Sequence, residues 1–390
     1  MSLFVDVSFQ SLIKFEEELC GDRVEIVRLS DSTIIVMADG LGSGVKANIL
    51  STLTTKISAT MLREGANIYE TVDTIVNTLP VCKVRRIAYS TFTLIKIYDD
   101  GRVYLAEYDN PPIFIIRQGI MMNIDKKEIV INDRKVYESK FYVQPGDVLT
   151  VVSDGVIHAG LGNIMNLGWN WDNVCDYLER STKDKKDAQS ITKDLAEVCW
   201  ELYGGMPGDD TTIVTMKIKT PECVNLFTGP PKDKSKDGQV VKDFIKSYGK
   251  KIICGGTAAN ILQRELNRPL NVNLDFECKD IPPTANMEGI DLITEGVITL
   301  SRVVEMIKEY KKSILSPGYY YDISGKDGAS KLTRILLNEC THLTIWLGKA
   351  VNPAHQNPDL PMDLSIKLNI VNEIAQLLKG LGKQVEIKEV

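Results

Sequence analysis

Histidine is scarce in this sequence: three in 390 residues, at positions 158, 342 and 355. A metal centre built on imidazole has almost nothing to draw on, so any metal site must rest mainly on oxygen. The eight cysteines, at 20, 82, 175, 199, 223, 254, 278 and 340, stand far apart with no C-x-x-C pair. That spacing excludes a zinc knuckle and a thioredoxin-type dithiol, and scattered free thiols suit a reducing cytosol. An excess of positive charge is missing too. With 46 Lys and Arg against 52 Asp and Glu, the net charge is −6, which disfavours a general nucleic-acid role. No apolar run is long enough to span a bilayer. The first residues, MSLFVDVSFQSLIKFEEEL, lack a basic segment and carry acids among apolar residues, unlike a signal peptide. The expectation is a cytoplasmic protein with no nucleic-acid or membrane partner.

What is present is globular in balance, 44% hydrophobic and 25% charged, over a length that suggests two domains. The first half reads as strands joined by tight turns. VEIVRL (24–29) and TIIVMA (33–38) flank Ser30-Asp31-Ser32, and STFTLIKIY (90–98) and RVYLAEY (102–108) flank Asp99-Asp100-Gly101. IFIIR (113–117), KFYV (140–143), VLTVVS (148–153) and TTIVTMKI (211–218) continue the series, with KFYV and VLTVVS around a further turn at Gln144–Asp147. Helical periodicity covers 45–64, with Leu50, Leu53, Ile57 and Met61 as its core-facing stripe, then 68–79, 171–181 and 185–203. This predicts an α+β domain over 1–220: a two-sheet antiparallel β-sandwich flanked by helices. The Pro- and Lys/Asp-rich stretch 221–240 reads as a linker. Beyond it, 241–390 alternates strand and helix, which predicts an α/β domain with a largely parallel sheet.

Acids recur at strand ends in the first domain. Asp39 follows TIIVMA in DGLGSG, Asp154 follows VLTVVS in SDG, and Asp209-Asp210 precede TTIVTMKI. A lone D-G after a strand is usually a turn, and Asp99-Asp100-Gly101 is read as one. The set as a whole points elsewhere. Carboxylates on rigid strand ends, with a glycine that lets its own carbonyl approach, suit hard cations such as Mg²⁺ or Mn²⁺.

The ordered motifs Cys20-Gly21-Asp22, Asp39-Gly40-Leu41-Gly42-Ser43-Gly44, Tyr108-Asp109-Asn110-Pro111-Pro112, Ser153-Asp154-Gly155 and Gly208-Asp209-Asp210-Thr211-Thr212 resemble the metal-dependent (PPM-type) protein serine/threonine phosphatases. The SpoIIE-like branch is the most similar. The resemblance covers about residues 5 to 218 and implies hydrolysis of phosphoserine and phosphothreonine by water activated between two Mn²⁺ or Mg²⁺ ions. It implies that Asp39 bridges both metals, that the Gly40 carbonyl binds one, and that Asp154 and Asp209 complete the shell. Asp210 and Asp22 are secondary metal candidates by the same resemblance. It further implies a phosphorylated protein substrate of the anti-anti-sigma type, within bacterial signalling that includes sporulation and sigma-factor regulation. Leu41 stands where many eukaryotic members carry a histidine general acid, so leaving-group protonation falls to water. Arg23 is the arginine nearest a motif but is not assigned to phosphate. His158 reads as a surface or helix-cap residue, and Lys83, Arg85 and Arg86 as a solvated strand edge.

In the second domain, Gly255-Gly256-Thr257 and Thr294-Glu295-Gly296 each lie between a strand and a helix. Lys349, Asn352, His355, Gln356 and Asn357 follow a third strand. That edge of a parallel sheet is where ligands bind, and a Gly-Gly-Thr helix start suits a phosphate or carboxylate. Tight-turn chemistry is the competing reading. The domain fits three roles: sensing a small ligand, recognising the substrate protein, or holding a homodimer together. Two alternatives to an active protein phosphatase stand. One is a catalytically weak or inactive phosphatase-fold binding module signalling through a ligand-sensing C-terminal domain. The other is a small-molecule enzyme whose chemistry lies in that domain.

Overall fold

The run TIIVMA is apolar at every position because it is buried on both sides. In a computed structural model, describing residues 2–78, 90–131, 134–162, 165–183, 186–272, 283–315, 321–350 and 363–390, it forms a central strand of a two-layer β-structure. The chain divides into two units, Met1–Thr220 and Pro221–Val390.

The first unit contains β1 (Phe4–Leu12), β2 (Asp22–Arg28), β3 (Ser32–Gly40), α1 (Gly44–Arg63), α2 (Ile68–Thr78), β4 (Ser90–Tyr98), β5 (Arg102–Tyr108), β6 (Phe114–Arg117), β7 (Ile120–Met121), β8 (Lys127–Ile131), β9 (Arg134–Tyr142), β10 (Val148–Val152), α3 (Asp154–Ile157), α4 (Trp171–Ser181), α5 (Ala188–Leu202) and β11 (Thr211–Lys219). Two antiparallel sheets result, ordered β1-β11-β10-β6-β7 and β2-β3-β4-β5-β9-β8. Alternate residues of β3 divide between two cores. Ile35 and Met37 face the other sheet and pack with Val151, Val214 and Met216. Ile34, Val36 and Ala38 face outward onto Ala59, Leu62, Ile68 and Val72 of α1 and α2. On the opposite layer, Leu178, Ile191 and Leu195 of α4 and α5 cover Val152 and Ile213.

The fold is therefore the expected α+β sandwich flanked by helices, with two local corrections. The 140–143 and 148–153 strands do not form a hairpin. β9 pairs with β5, while β10 pairs with β6 and β11, so the Gln144–Asp147 turn carries the chain from one sheet to the other. Arg117 pins that crossing through an ion pair of 2.7 Å to the buried Asp147. The stripe expected to face the core from α1 is also misplaced. Leu50 is buried but Leu53 is 46% exposed. The sheet side of α1 is instead small or hydroxylated: Ala47, Ser51, Thr54, Thr55 and Ser58 are buried. Thr54, Thr55 and Ser58 donate to the carbonyls of Leu50, Ser51 and Thr54, which lets polar residues sit at a tight interface.

The second unit contains β12 (Cys223–Thr228), α6 (Asp237–Lys246), β13 (Lys250–Cys254), α7 (Gly256–Leu266), β14 (Asn271–Val272), β15 (Ala285–Asn286), β16 (Leu292–Thr294), α8 (Val297–Leu315), α9 (Gly328–Asn338), β17 (His342–Leu347), α10 (Asp363–Gly380) and β18 (Gln384–Glu389). Its sheet runs β14-β15-β16-β13-β12-β17-β18, parallel from β16 through β18. The 221–240 segment departs from its reading as a linker, because it carries β12, which pairs with β13 and β17 at the centre of the sheet. Prolines and a Lys/Asp run on its C-terminal side hid the short apolar run Val224–Phe227. Among the described residues no helix is long and apolar enough to cross a membrane.

Candidate metal and catalytic site

The acids singled out above meet at one end of the sandwich because strand pairing and short loops deliver them there. Asp22 opens β2 and Asp39 nearly closes β3, and the two are register partners. The Gly40 amide donates to the Gly21 carbonyl at 3.2 Å, which closes that end of the pair. Asp154 starts α3 directly after β10, and Asp209 and Asp210 precede β11, the neighbour of β10. The buried Ser153 locks the last two segments together. Its hydroxyl accepts from the Thr212 amide at 2.8 Å, and its own amide donates to the Thr212 carbonyl at 2.9 Å.

The two D-G glycines are required by close approach rather than by turn geometry. A methyl group on Gly40 would lie 2.1 Å from the Ala47 carbonyl oxygen of α1. One on Gly155 would lie 2.2 Å from the Asp210 carbonyl oxygen. Both motifs therefore press a neighbouring segment against the acids.

The environments of the acids differ. Asp22 is buried, and neither of its carboxylate oxygens has a hydrogen-bond partner. Burial pushes the Asp22 carboxyl well above the usual carboxylate range, with the charges of Asp210 and Asp154 adding to it against the nearby hydroxyls of Thr212 and Ser153. Asp39 is raised by burial first and then by Asp22, Asp154 and Asp209. Asp154 is raised by burial and by Asp209. The Asp209 side chain is half exposed, as is that of Asp154, and it pairs with Lys14 Nζ at 3.6 Å. Asp210 is buried, and its oxygens already accept from the Lys14 amide at 3.1 Å and the Gly21 amide at 2.8 Å. It braces the loop that delivers Asp22. His158 lies 4.0 Å from Asp154 and is half exposed.

One contributor, Lys14, escapes the sequence reading, and a second, Asn110, lies in the Pro-Pro motif but has contacts that the motif does not announce. Lys14 belongs to the β1–β2 loop, and nothing in its local sequence marks it as a partner of Asp209. Asn110, in the Pro-Pro turn, donates to Thr93 Oγ1 at 2.7 Å and to the Val152 carbonyl at 3.4 Å, clasping β4 to the end of β10 just before Asp154. Arg23, on β2, lies beside the acids in sequence with an exposed side chain. Lys83, Arg85, Arg86, Asn352, His355, Gln356 and Asn357 lie outside the described residues.

Among the described residues, no three acid, thiol or imidazole side chains already converge as a formed metal centre. The donor set nevertheless fits a hard divalent cation. A buried carboxylate with no donor is costly unless it is protonated or bound by a cation, and Asp22 is such a group. A pH dependence follows. Each raised acid holds its proton in the folded state after the unfolded chain has released it near pH 4. Its stabilisation is complete below that pH and is lost as pH rises through the raised folded value. In EDTA, the melting temperature is expected to fall from pH 5 to 8. The gain on adding Mn²⁺ is expected to grow over the same range, since bound acids must be deprotonated. Thermal melts across that range, with and without Mn²⁺, check both slopes; a rising metal-free profile would contradict the clustering.

Comparison with known proteins adds the following. The family described as Stage II sporulation protein E (SpoIIE) matches residues 30–219. Stage II sporulation protein E of Bacillus subtilis (strain 168) is 26% identical over 215 residues, 53% of this chain and 25% of that protein. The matched stretch thus spans about a quarter of that relative's length. Two solved Bacillus subtilis structures are similar to this chain. The PP2C phosphatase domain with a fragment of the regulatory domain of the cell fate determinant SpoIIE is 23% identical, with a TM-score of 0.48 over 56% of this chain and 63% of that one. The phosphatase domain of the same determinant, in a crystal form without domain swapping, is 25% identical, with a TM-score of 0.43 over 56% and 95%.

Proposed function

Residues 30–219 belong to the SpoIIE-like branch of the PPM-type protein phosphatases, and from that premise we propose that the first unit is a metal-dependent hydrolase of phosphoserine and phosphothreonine in proteins. The observation that carries the reading is the buried, unpartnered Asp22 carboxylate set opposite Asp39, with Asp154 and Asp209 close enough to raise it or its partner. Asp22, Asp39, Asp154, Asp209 and the Gly40 carbonyl would hold Mn²⁺ or Mg²⁺, in the family's case two ions. Such ions lower the pKa of a coordinated water and offset charge on the phosphoryl group. Asp210 acts at one remove, fixing the Gly21 and Lys14 amides so that Asp22 stays in register with Asp39. With Leu41 after the D-G, no side-chain acid stands at the family position for protonating the leaving oxygen, and solvent supplies that proton. The proposed substrate is a small phosphorylated regulator of the anti-anti-sigma type.

The test is hydrolysis of para-nitrophenyl phosphate and of a phosphoserine peptide by the full chain, with Mn²⁺ and with EDTA, alongside calorimetric titration of Mn²⁺. Turnover that requires Mn²⁺ supports the reading. Metal binding without turnover supports the phosphatase-fold binding module, and absence of both removes the metal site altogether. Lys14 sharpens the test, since its ammonium competes for Asp209. An exposed pair of this kind contributes about 0.2–1 kcal/mol. Lys14→Met is therefore expected to tighten apparent Mn²⁺ binding by about 1.4- to fivefold. Weaker binding in the variant would mean that Lys14 supports the site rather than competes for it.

A further inference from the structure

The first unit carries a cavity of about 620 Å³ at the ends of β4, β5 and β9, beside the loop that joins α1 to α2. It lies far from the acids. Asp39 and Gly40 register with Thr91 and Ser90 at the start of β4, whereas the cavity meets Tyr98, the last residue of that strand. Those two ends are about 27 Å apart along the strand. The three strands bring the same pair of residue types to this place: Lys96-Ile97-Tyr98, Arg102-Val103-Tyr104 and Lys140-Phe141-Tyr142. Ile97, Val103 and Phe141 turn inward to the core between the sheets. The cation and the tyrosine on either side of each therefore turn outward together.

Antiparallel pairing then staggers the three pairs. Tyr104 is the register partner of both Lys96 and Lys140, and Arg102 is the partner of Tyr142. Rings and cations alternate across the sheet as a result. Lys96 Nζ and Arg102 Cζ both converge on the Tyr98 ring, 5.0 and 4.6 Å from its centre, and Lys140 Nζ stands 5.0 Å from that of Tyr104. Among the described residues no carboxylate lines the cavity. Acids stand only at its rim, where Asp100 meets Arg102 at 2.8 Å and Glu138 meets Lys140 at 3.4 Å. The pair with Asp100 is exposed on both sides and is worth little, so Arg102 stays open to a better anion. Lys96 has no ion pair among the described residues. Tyr142 is 69% exposed, a large ring left open beside a cation. From the helix side the buried Leu62 and Ile68 supply an apolar wall.

We propose that this cavity binds a nucleoside monophosphate. Cations alone would suit any anion, and rings alone any flat molecule. Their alternation within a few ångströms calls for one molecule that carries both a planar ring and a phosphate. The base stacks on Tyr142 beside the Arg102 guanidinium, and the phosphate lies between Arg102 and Lys96, over the Tyr98 ring. Stacking on tyrosine and arginine with charge alongside is how proteins hold nucleotides without reading their sequence. The volume falls in the range of small-molecule sites. This site is independent of the phosphatase reading.

The test is calorimetric titration of the full chain in EDTA, which keeps metal out of the acid cluster. The probes are adenosine monophosphate, which carries both ring and phosphate, and adenosine and ribose 5-phosphate, which carry one each. The monophosphate is expected to bind about tenfold tighter than either. Tyr142→Ala is expected to weaken it about fivefold or more and to leave ribose 5-phosphate unchanged. Lys96→Gln is expected to weaken the monophosphate and ribose 5-phosphate by about fivefold and to spare adenosine. Tyr248→Ala removes an exposed ring from the second unit and is expected to change none of the three. No binding of the monophosphate, or binding unchanged by both Tyr142→Ala and Lys96→Gln, overturns the site. A monophosphate that binds no tighter than ribose 5-phosphate overturns the stacking role of Tyr142. A phosphotyrosine peptide that binds tighter than the monophosphate would assign the cavity to a protein segment and overturn the nucleotide.

Discussion

Asp39→Asn is expected to lower Mn²⁺-dependent phosphate-ester hydrolysis by roughly 10³-fold or more, the scale on which loss of a central charge-stabilising group acts. Asp39 faces Asp22 across the strand pair and feels the charges of Asp22, Asp154 and Asp209 together, which places it among the acids rather than at their edge. An amide keeps the shape and removes the charge that would hold a cation there. The same change relieves repulsion in the metal-free protein. In EDTA at pH 8 the variant is expected to melt no lower than wild type, and its Mn²⁺-induced shift is expected to shrink or vanish. That pairing separates lost chemistry from misfolding, because a merely damaged fold would lower both quantities. Asp100→Asn provides the contrast. Asp100 sits in the β4–β5 turn and accepts from the Arg102 amide and guanidinium, so turnover should be unchanged. Steady-state rates and melts on the three proteins decide the matter; full activity in Asp39→Asn would remove Asp39 from the centre of the site.

The parts of this molecule that were legible in the sequence are those written in local pattern. The Asp99-Asp100-Gly101 turn and the runs on either side announced β4 and β5, and continuous apolarity announced β3 as buried on both faces. The D-G, S-D-G and G-D-D motifs marked strand ends, and their order along the chain pointed to one site. What was hidden depends on partners distant in sequence. β1 alternates over FVDVSFQSL, but its acid and serines masked the signal until pairing with β11 buried its inward residues. β12 is hidden in the sequence because its neighbours are turn-forming residues. The core face of α1 was misassigned since helix periodicity reports apolar residues, whereas a helix this close to a sheet needs small ones. Lys14, Asn110 and the bracing role of Asp210 are contacts across long sequence separations, and no local pattern encodes them.

That close approach of helix to sheet leads to the second large effect. Gly40→Ala is expected to destabilise the first unit by about 3 kcal/mol or more, the upper range for an overpacked site. The added methyl would stand 2.1 Å from the Ala47 carbonyl oxygen and 2.6 Å from its carbonyl carbon. Both atoms are helix backbone, so no side-chain rotation can yield, and α1 would have to lift from β3. For a unit of this size, each kcal/mol corresponds to about 2–4 °C, giving a fall of roughly 6–12 °C. Gly208→Ala makes the same chemical change in the G-D-D motif, where the nearest atom would be Tyr203 Cε1 at 3.4 Å, an ordinary contact. Its effect should stay within about 0.5 kcal/mol. If the two variants melt alike, the contact between α1 and β3 is looser than the structure has it. If only Gly40→Ala falls, metal titration of its folded fraction shows whether the same displacement also moves the Gly40 carbonyl from the acids. Weakened Mn²⁺ binding there, beyond the stability loss, would tie the seating of α1 to the assembly of the site. Unchanged binding would confine Gly40 to packing and leave cation binding to the carboxylates.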